Sequence, residues 1–186
     1  MPYNVQSLPI PGPLLFQPRV YSDARGFFME SYSKREFAQW GVECDFVQDN
    51  LSLSCQYTLR GLHFQIPPHA QAKLVTVLHG AAMDVVVDLR KDSPHYGRHC
   101  AVELSAENKR LFFIPAGFAH GFLALTDDCL FAYKCSDYYA PAAERGLAWD
   151  DPVLNIDWRG LGLKSAPRIS DKDLKNPGFA DFVSPF

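Results

Sequence analysis

Residues 73–89 read Lys73-Leu74-Val75-Thr76-Val77-Leu78-His79-Gly80-Ala81-Ala82-Met83-Asp84-Val85-Val86-Val87-Asp88-Leu89. Two β-rich runs, 73–79 and 82–89, are broken at Gly80, the pattern of two successive strands. The same signature recurs along the chain, in runs rich in Val, Phe, Tyr and Leu punctuated by Gly, Pro or Asp. It predicts further strands at 14–20, 26–32, 46–53, 58–64, 100–104, 110–114, 121–125 and 130–135. So many short strands with no alternating βα units point to an all-β, double-sheet jelly roll. One early helix is predicted over 33–40, with Ser33 as N-cap and Glu36 as its capping-box partner, serving to link two strands. After Tyr139 the alternation fades into Pro141, Asp150-Asp151-Pro152 and Pro167, so a C-terminal segment of loops and short helices should lie over the barrel. With 186 residues, no internal repeat and no low-complexity tract, the chain reads as one domain.

Composition narrows the function classes. The formal net charge of −3 lacks the basic excess of nucleic-acid binders, and 47% hydrophobic with 21% charged residues is ordinary for a soluble globular protein. No apolar run reaches the length of a membrane span, and Met1 to Pro13 has neither a basic start nor a long apolar stretch, which reads as cytosolic. Cys44, Cys55, Cys100, Cys129 and Cys135 are an odd set without a C-x-x-C pair, so buried free thiols are expected rather than disulfides or a thiolate metal site.

Among six histidines, His69, His95 and His99 lie in turn-like, polar surroundings. His63 and His120 sit in apolar settings, Leu62-His63-Phe64 and Phe118-Ala119-His120-Gly121-Phe122, where an imidazole can serve as a general base near neutral pH or simply be a core histidine bonded to a carbonyl. Strand alternation groups His63 with Leu59, Gly61 and Gln65, Lys73 with Val75, Val77 and His79, and Asp84 with Val86 and Asp88. Charged groups on such apolar faces either line a polar cavity or sit at its rim. For Lys73 and Asp84 a plain ion pair across adjacent strands is the competing reading. Tyr133, in Phe131-Ala132-Tyr133-Lys134-Cys135, is either core packing or a proton donor. A jelly-roll metal centre normally wants a second histidine near the first, and His63-Phe64-Gln65 lacks it. With no G-x-G-x-x-G, Walker-type or G-x-S-x-G motif, what remains is acid–base chemistry with no cofactor and no metal.

Several phrases together resemble the dTDP-4-dehydrorhamnose 3,5-epimerase family, a group of cupin-fold enzymes. They are Asp23-Ala24-Arg25-Gly26-Phe27-Phe28, Phe46-Val47-Gln48-Asp49-Asn50, Leu59-Arg60-Gly61-Leu62-His63-Phe64, Gln71-Ala72-Lys73-Leu74-Val75 and Asp84-Val85-Val86-Val87-Asp88-Leu89-Arg90. Leu104-Ser105-Ala106-Glu107-Asn108-Lys109-Arg110, Ile114-Pro115-Ala116-Gly117-Phe118-Ala119-His120-Gly121-Phe122 and Tyr133-Lys134 continue the match, which runs in order from Arg19 to Asp173. The resemblance implies a homodimeric cupin that inverts C3 and C5 of a dTDP-linked 4-keto-6-deoxy sugar without a cofactor. It implies His63 as base, Asp173 as its orienting carboxylate with Asp171 a close rival, Lys73 beside the C4 oxygen and Tyr133 as acid on the opposite face. It further implies Arg25, Glu30, Gln48, Asn50, Arg60, His120, Glu144 and Lys172 around nucleotide and sugar.

Strict alternation sets Arg60 and His63 on opposite faces, whereas the resemblance asks both to meet one substrate. A bulge or twist near Gly61, or a rim position for Arg60, would reconcile them. The stretch Ile66-Pro67-Pro68-His69 and the tail after Asp173 depart from the family pattern. Competing readings are a single-centre 3- or 5-epimerase or a 3,4-ketoisomerase on a related nucleotide keto sugar, a sugar-binding cupin that needs neither base nor acid, and a metal-dependent cupin.

Overall fold

A computed structural model describes residues 2–186. Its strands are β1 (Tyr3–Ser7), β2 (Leu14–Pro18), β3 (Val20–Asp23), β4 (Gly26–Met29), β5 (Gln48–Ser54), β6 (Leu59–Gln65), β7 (Lys73–His79), β8 (Ala81–Asp88), β9 (His99–Ser105), β10 (Leu111–Ile114), β11 (Phe118–Ala124), β12 (Cys129–Cys135) and β13 (Glu144–Gly146). They form a six-stranded sheet ordered β1-β2-β10-β7-β12-β5, a five-stranded sheet ordered β13-β6-β11-β8-β9, and a separate β3-β4 hairpin. Every strand pairing is antiparallel. From β5 onward the chain repeatedly crosses between the sheets, so the two face each other as a jelly roll of the cupin type.

Three apolar clusters hold the layers. Val75, Val77, Val86, Leu104, Phe112, Ile114, Phe122 and Phe131 fill the space between the sheets. Leu59, Leu62, Phe64, Val85, Val87 and Leu123 turn to the other side of the five-stranded sheet, where Leu147, Leu154, Trp158, Leu163 and Phe179 of the C-terminal segment cover them. This double coverage explains why Val85, Val86 and Val87 are all fully buried: a sheet packed on both faces reads as a continuous apolar run instead of an alternation. The third cluster, with Tyr3, Phe16, Phe37, Leu74, Leu111 and Phe113, lies outside the six-stranded sheet.

Several expectations need correcting. The predicted 14–20 strand breaks after Pro18, so that β3 leaves the sheet for the hairpin, and β4 ends at Met29 instead of residue 32. The helix α1 is only Lys34–Ala38 and Ser33 makes no side-chain cap bond, so no capping box forms. Its anchor is Phe37, stacked on Phe16 with ring centres 4.1 Å apart and edge-on to Tyr3 and Tyr32. The helix therefore plugs an apolar patch as well as linking strands. Among the thiols Cys129 and Cys135 are buried, Cys44 and Cys100 partly so, and Cys55 is exposed.

The shape of β6 matters most for the site. Its register with β11 pairs Arg60 with Phe122 and His63 with His120, so Gly61 and Leu62 together oppose Gly121 alone. That bulge shifts the alternation by one residue and turns Arg60 and His63 to the same side, while Leu59 and Leu62 go to the opposite core. His63 consequently shares a face with Gln65 but not with Leu59, contrary to strict alternation. Glycine is required here: Gly61 has φ +134°, and a Cβ on it would stand 2.5 Å from the Gly121 Cα.

Candidate active site

At one end of the sandwich the core gives way to a cavity of about 580 Å³. β6 contributes Arg60 and His63, β11 His120, β7 Lys73, β12 Tyr133 and β13 Glu144, and the segment after Pro167 closes one side with Arg168, Ser170, Lys172 and Asp173. A smaller recess of about 110 Å³ shares His63, Lys73, Tyr133 and Glu144, and adds Gln48 and Asn50 of β5. Both sheets thus present polar groups to one space, His63 from one side and Lys73 and Tyr133 from the other.

His63 Nε2 lies 2.6 Å from Asp173 Oδ1, and Asp173 is only 4% exposed. Burial opposes charge on this carboxyl, but His63, helped by the Gly61 N–H at 3.4 Å, outweighs it and holds Asp173 below the usual carboxylate range. An ionised Asp173 can only accept, so Nε2 carries the hydrogen. In the neutral imidazole the lone pair therefore falls on Nδ1, which has no hydrogen-bond partner among the described residues. Asp171 is exposed and does not line the cavity.

His120 and Asp84 form a second pair, Nε2 to Oδ2 at 2.8 Å, both buried. Burial pushes the imidazole down and the carboxyl up against their mutual attraction, so both shifts disfavour charge. Lys73 is not ion-paired to Asp84 across adjacent strands: β7 and β8 belong to different sheets, and Lys73 has no ion-pair partner among the described residues. Burial lowers its ammonium from the ordinary lysine value, opposed by Cys135, Asp84 and Glu144. Burial likewise raises the Tyr133 phenol, keeping it protonated at neutral pH. Glu144 accepts from the Tyr139 hydroxyl at 2.7 Å and pairs with Lys172 at 2.5 Å. Burial works against that charge, yet Lys172 and Tyr139 together hold the carboxyl low.

Residues 7–181 match the family model for dTDP-4-dehydrorhamnose 3,5-epimerase. The chain belongs to that family. A dTDP-4-dehydrorhamnose 3,5-epimerase of Pseudomonas aeruginosa is 51% identical over 175 residues, 94% of each chain. The crystal structure of the dTDP-6-deoxy-D-glucose-3,5-epimerase of Legionella pneumophila in complex with dTDP-4-keto-L-rhamnose superposes with a TM-score of 0.90 at 44% identity, covering 95% of this chain and 92% of that one. A 3'-monoepimerase from Streptomyces bikiniensis, crystallised with dTDP-quinovose, gives a TM-score of 0.86 at 37% identity, covering 93% and 86%.

Of the residues singled out in the sequence, the fold brings His63, Asp173, Lys73, Tyr133, Arg60, His120, Glu144 and Lys172 around the cavity, with Gln48 and Asn50 in the adjoining recess. Arg25 and Glu30 are not among them. Arg25 stands on the exposed β3-β4 hairpin, ion-paired to Asp23 at 2.6 Å over a separate surface hollow, and Glu30 follows that hairpin, also exposed. Sequence reading missed Tyr139, Arg168 and Ser170, for which no local signal exists because tertiary folding alone brings them to β6 and β13. Among the described residues no group of three or more His, Cys, Asp or Glu is arranged to hold a metal ion, and no helix is long and apolar enough to cross a membrane.

Proposed function

We propose that the chain is a cytosolic epimerase that converts dTDP-4-dehydro-6-deoxyglucose to dTDP-4-dehydrorhamnose by inverting C3 and C5. The observation that carries this reading is the His63–Asp173 pair at 2.6 Å, on the sheet opposite the protonated Tyr133 phenol across one cavity. A C–H beside a ketone is acidic because the anion spreads onto the carbonyl oxygen. His63 Nδ1 takes the proton, and Asp173 supports the imidazolium that forms. The Lys73 ammonium beside the C4 oxygen stabilises the enolate, and Tyr133 returns a proton to the opposite face, inverting the carbon. His120, Glu144 and Lys172 surround the sugar, Arg60 meets the diphosphate, and Gln48 and Asn50 in the recess serve the nucleotide. No cofactor enters these steps.

Incubation of the purified protein with dTDP-4-keto-6-deoxyglucose in D₂O tests the reading by NMR. Deuterium at both C3 and C5 with inverted product is the expected result. The similarity to a 3'-monoepimerase supports a second reading, a single-centre epimerase, which deuterium at one carbon alone would establish. Tight binding with no incorporation would point instead to a sugar-binding protein.

The same proposal includes a homodimer. The outer face of the six-stranded sheet leaves Leu51, Leu53 and Leu78 more than half exposed, and Phe27 and Phe28 on the hairpin are 59% and 67% exposed. A second copy covering these surfaces accounts for the apolar exposure, and a hairpin donated across the contact gives Arg25 and Glu30 a substrate to meet. Sedimentation equilibrium should give about twice the 20.9 kDa chain mass, and a monomer at micromolar concentration would refute this.

A further inference from the structure

We infer that Arg168 is a second arginine ligand of the substrate diphosphate, acting beside Arg60; this rests on the nucleotide-sugar reading above. After Pro167 the chain runs alongside the start of β6. Arg168 N–H donates to the Tyr57 carbonyl at 2.9 Å and the Leu59 N–H donates to the Arg168 carbonyl at 3.0 Å, making a parallel bridge between Arg168 and Thr58. Bridged residues share a face, and so do residues two apart along a strand. Thr58 and Arg60 on one row therefore lie beside Arg168 and Ser170 on the next, and all four line the cavity.

Diagonal neighbours on adjacent strands are about 7–8 Å apart, within reach of two long side chains converging on one ligand. The two guanidinium groups are not neutralised by the protein: among the described residues neither Arg60 nor Arg168 lies within ion-pair distance of a carboxylate. Arg60 is held instead by the Ser54 hydroxyl at 3.2 Å and the Leu53 carbonyl at 3.3 Å. The acidic groups that line the cavity are already engaged, Asp173 by His63 and Glu144 by Lys172 and Tyr139. Two uncompensated arginines at one edge suit a group with two adjacent phosphates, since each planar fork can donate two hydrogen bonds to phosphate oxygens. The backbone bridge fixes where the Arg168 side chain begins, so less ordering is needed on binding.

The test compares wild type with Arg168→Ala, Arg168→Gln and Arg168→Lys in the full-length protein. Calorimetric titration with dTDP and with inorganic pyrophosphate is set beside steady-state epimerisation. Arg168→Ala and Arg168→Gln should weaken both ligands about tenfold and raise KM by a similar factor, with kcat within about twofold. Arg168→Lys should recover part of the loss. The bridge uses backbone atoms only, so a structural role would move Tm but not give a KM effect that follows side-chain charge. Unchanged pyrophosphate and dTDP affinity in folded Arg168→Ala would overturn the inference. Wild type that binds these ligands without epimerising would overturn the catalytic reading, while the binding titrations would still decide the role of Arg168.

Discussion

His63→Ala should fold and lose about 10²- to 10⁴-fold in turnover, the usual contribution of one positioned base. The loss should fall on kcat, because the imidazole acts on the reacting C–H and leaves the contacts to the nucleotide untouched. Exchange in D₂O should disappear at C3 and C5 together if one base serves both carbons. The substitution also leaves Asp173, 4% exposed, with only the Gly61 N–H at 3.4 Å and the Ser170 hydroxyl as donors. In the wild type His63 holds this carboxyl below its unfolded pKa, so the pair adds stability above that unfolded value and loses it as pH falls through the lower folded value. Without His63 the effect of burial dominates, the folded pKa rises, and stability near neutral pH drops by about 1–3 kcal/mol. The Tm difference from wild type should therefore narrow toward acid pH. Near-normal turnover in folded His63→Ala would remove His63 from the chemistry, and a Tm difference independent of pH would remove Asp173 as its charged partner.

The β-rich runs of the sequence were enough to establish the jelly roll, because strand periodicity and Gly or Pro punctuation are local properties. Their limits were also local. β1, with the polar residues Asn4, Gln6 and Ser7, and β13, three residues long, owe their pairing to β2 and β6, so their sequences carry little strand signal of their own. The Ser33-to-Glu36 pattern predicted a cap, whereas the helix is anchored by aromatic packing of Phe37, which depends on Phe16 and Tyr3 far away in sequence. In the site, the conflict between Arg60 and His63 was visible from the sequence, as was Gly61 as the place to resolve it. The register that does so, two residues opposite Gly121, exists only once β6 meets β11. Asp173 and Asp171 were indistinguishable as letters two positions apart. The one-turn helix Asp173–Lys175 buries the first and leaves the second outside. Arg25 and Glu30 mark the opposite case, residues legible from the motif but distant from the cavity within a single chain.

Tyr133→Phe should leave proton abstraction working and stop inversion. The change removes one oxygen and keeps a ring that packs against the inter-sheet core near Phe131, with centres 6.4 Å apart, so stability should be nearly unchanged. The hydroxyl has no hydrogen-bond partner among the described residues, and burial keeps it protonated, so it is free to donate to substrate. His63, Asp173 and Lys73 remain to form the enolate, and His63 can return the proton to the face it came from. Deuterium should therefore still enter the sugar in D₂O with configuration retained, while inverted product falls by about 10²- to 10⁴-fold. This pattern differs from His63→Ala, where exchange and inversion vanish together, and the contrast separates base from acid without assuming either. Should Tyr133→Phe yield inverted product at the wild-type rate, another donor or water must supply the second proton. Loss of inversion at only one carbon would instead show that Tyr133 serves that centre alone, with a separate donor at the other.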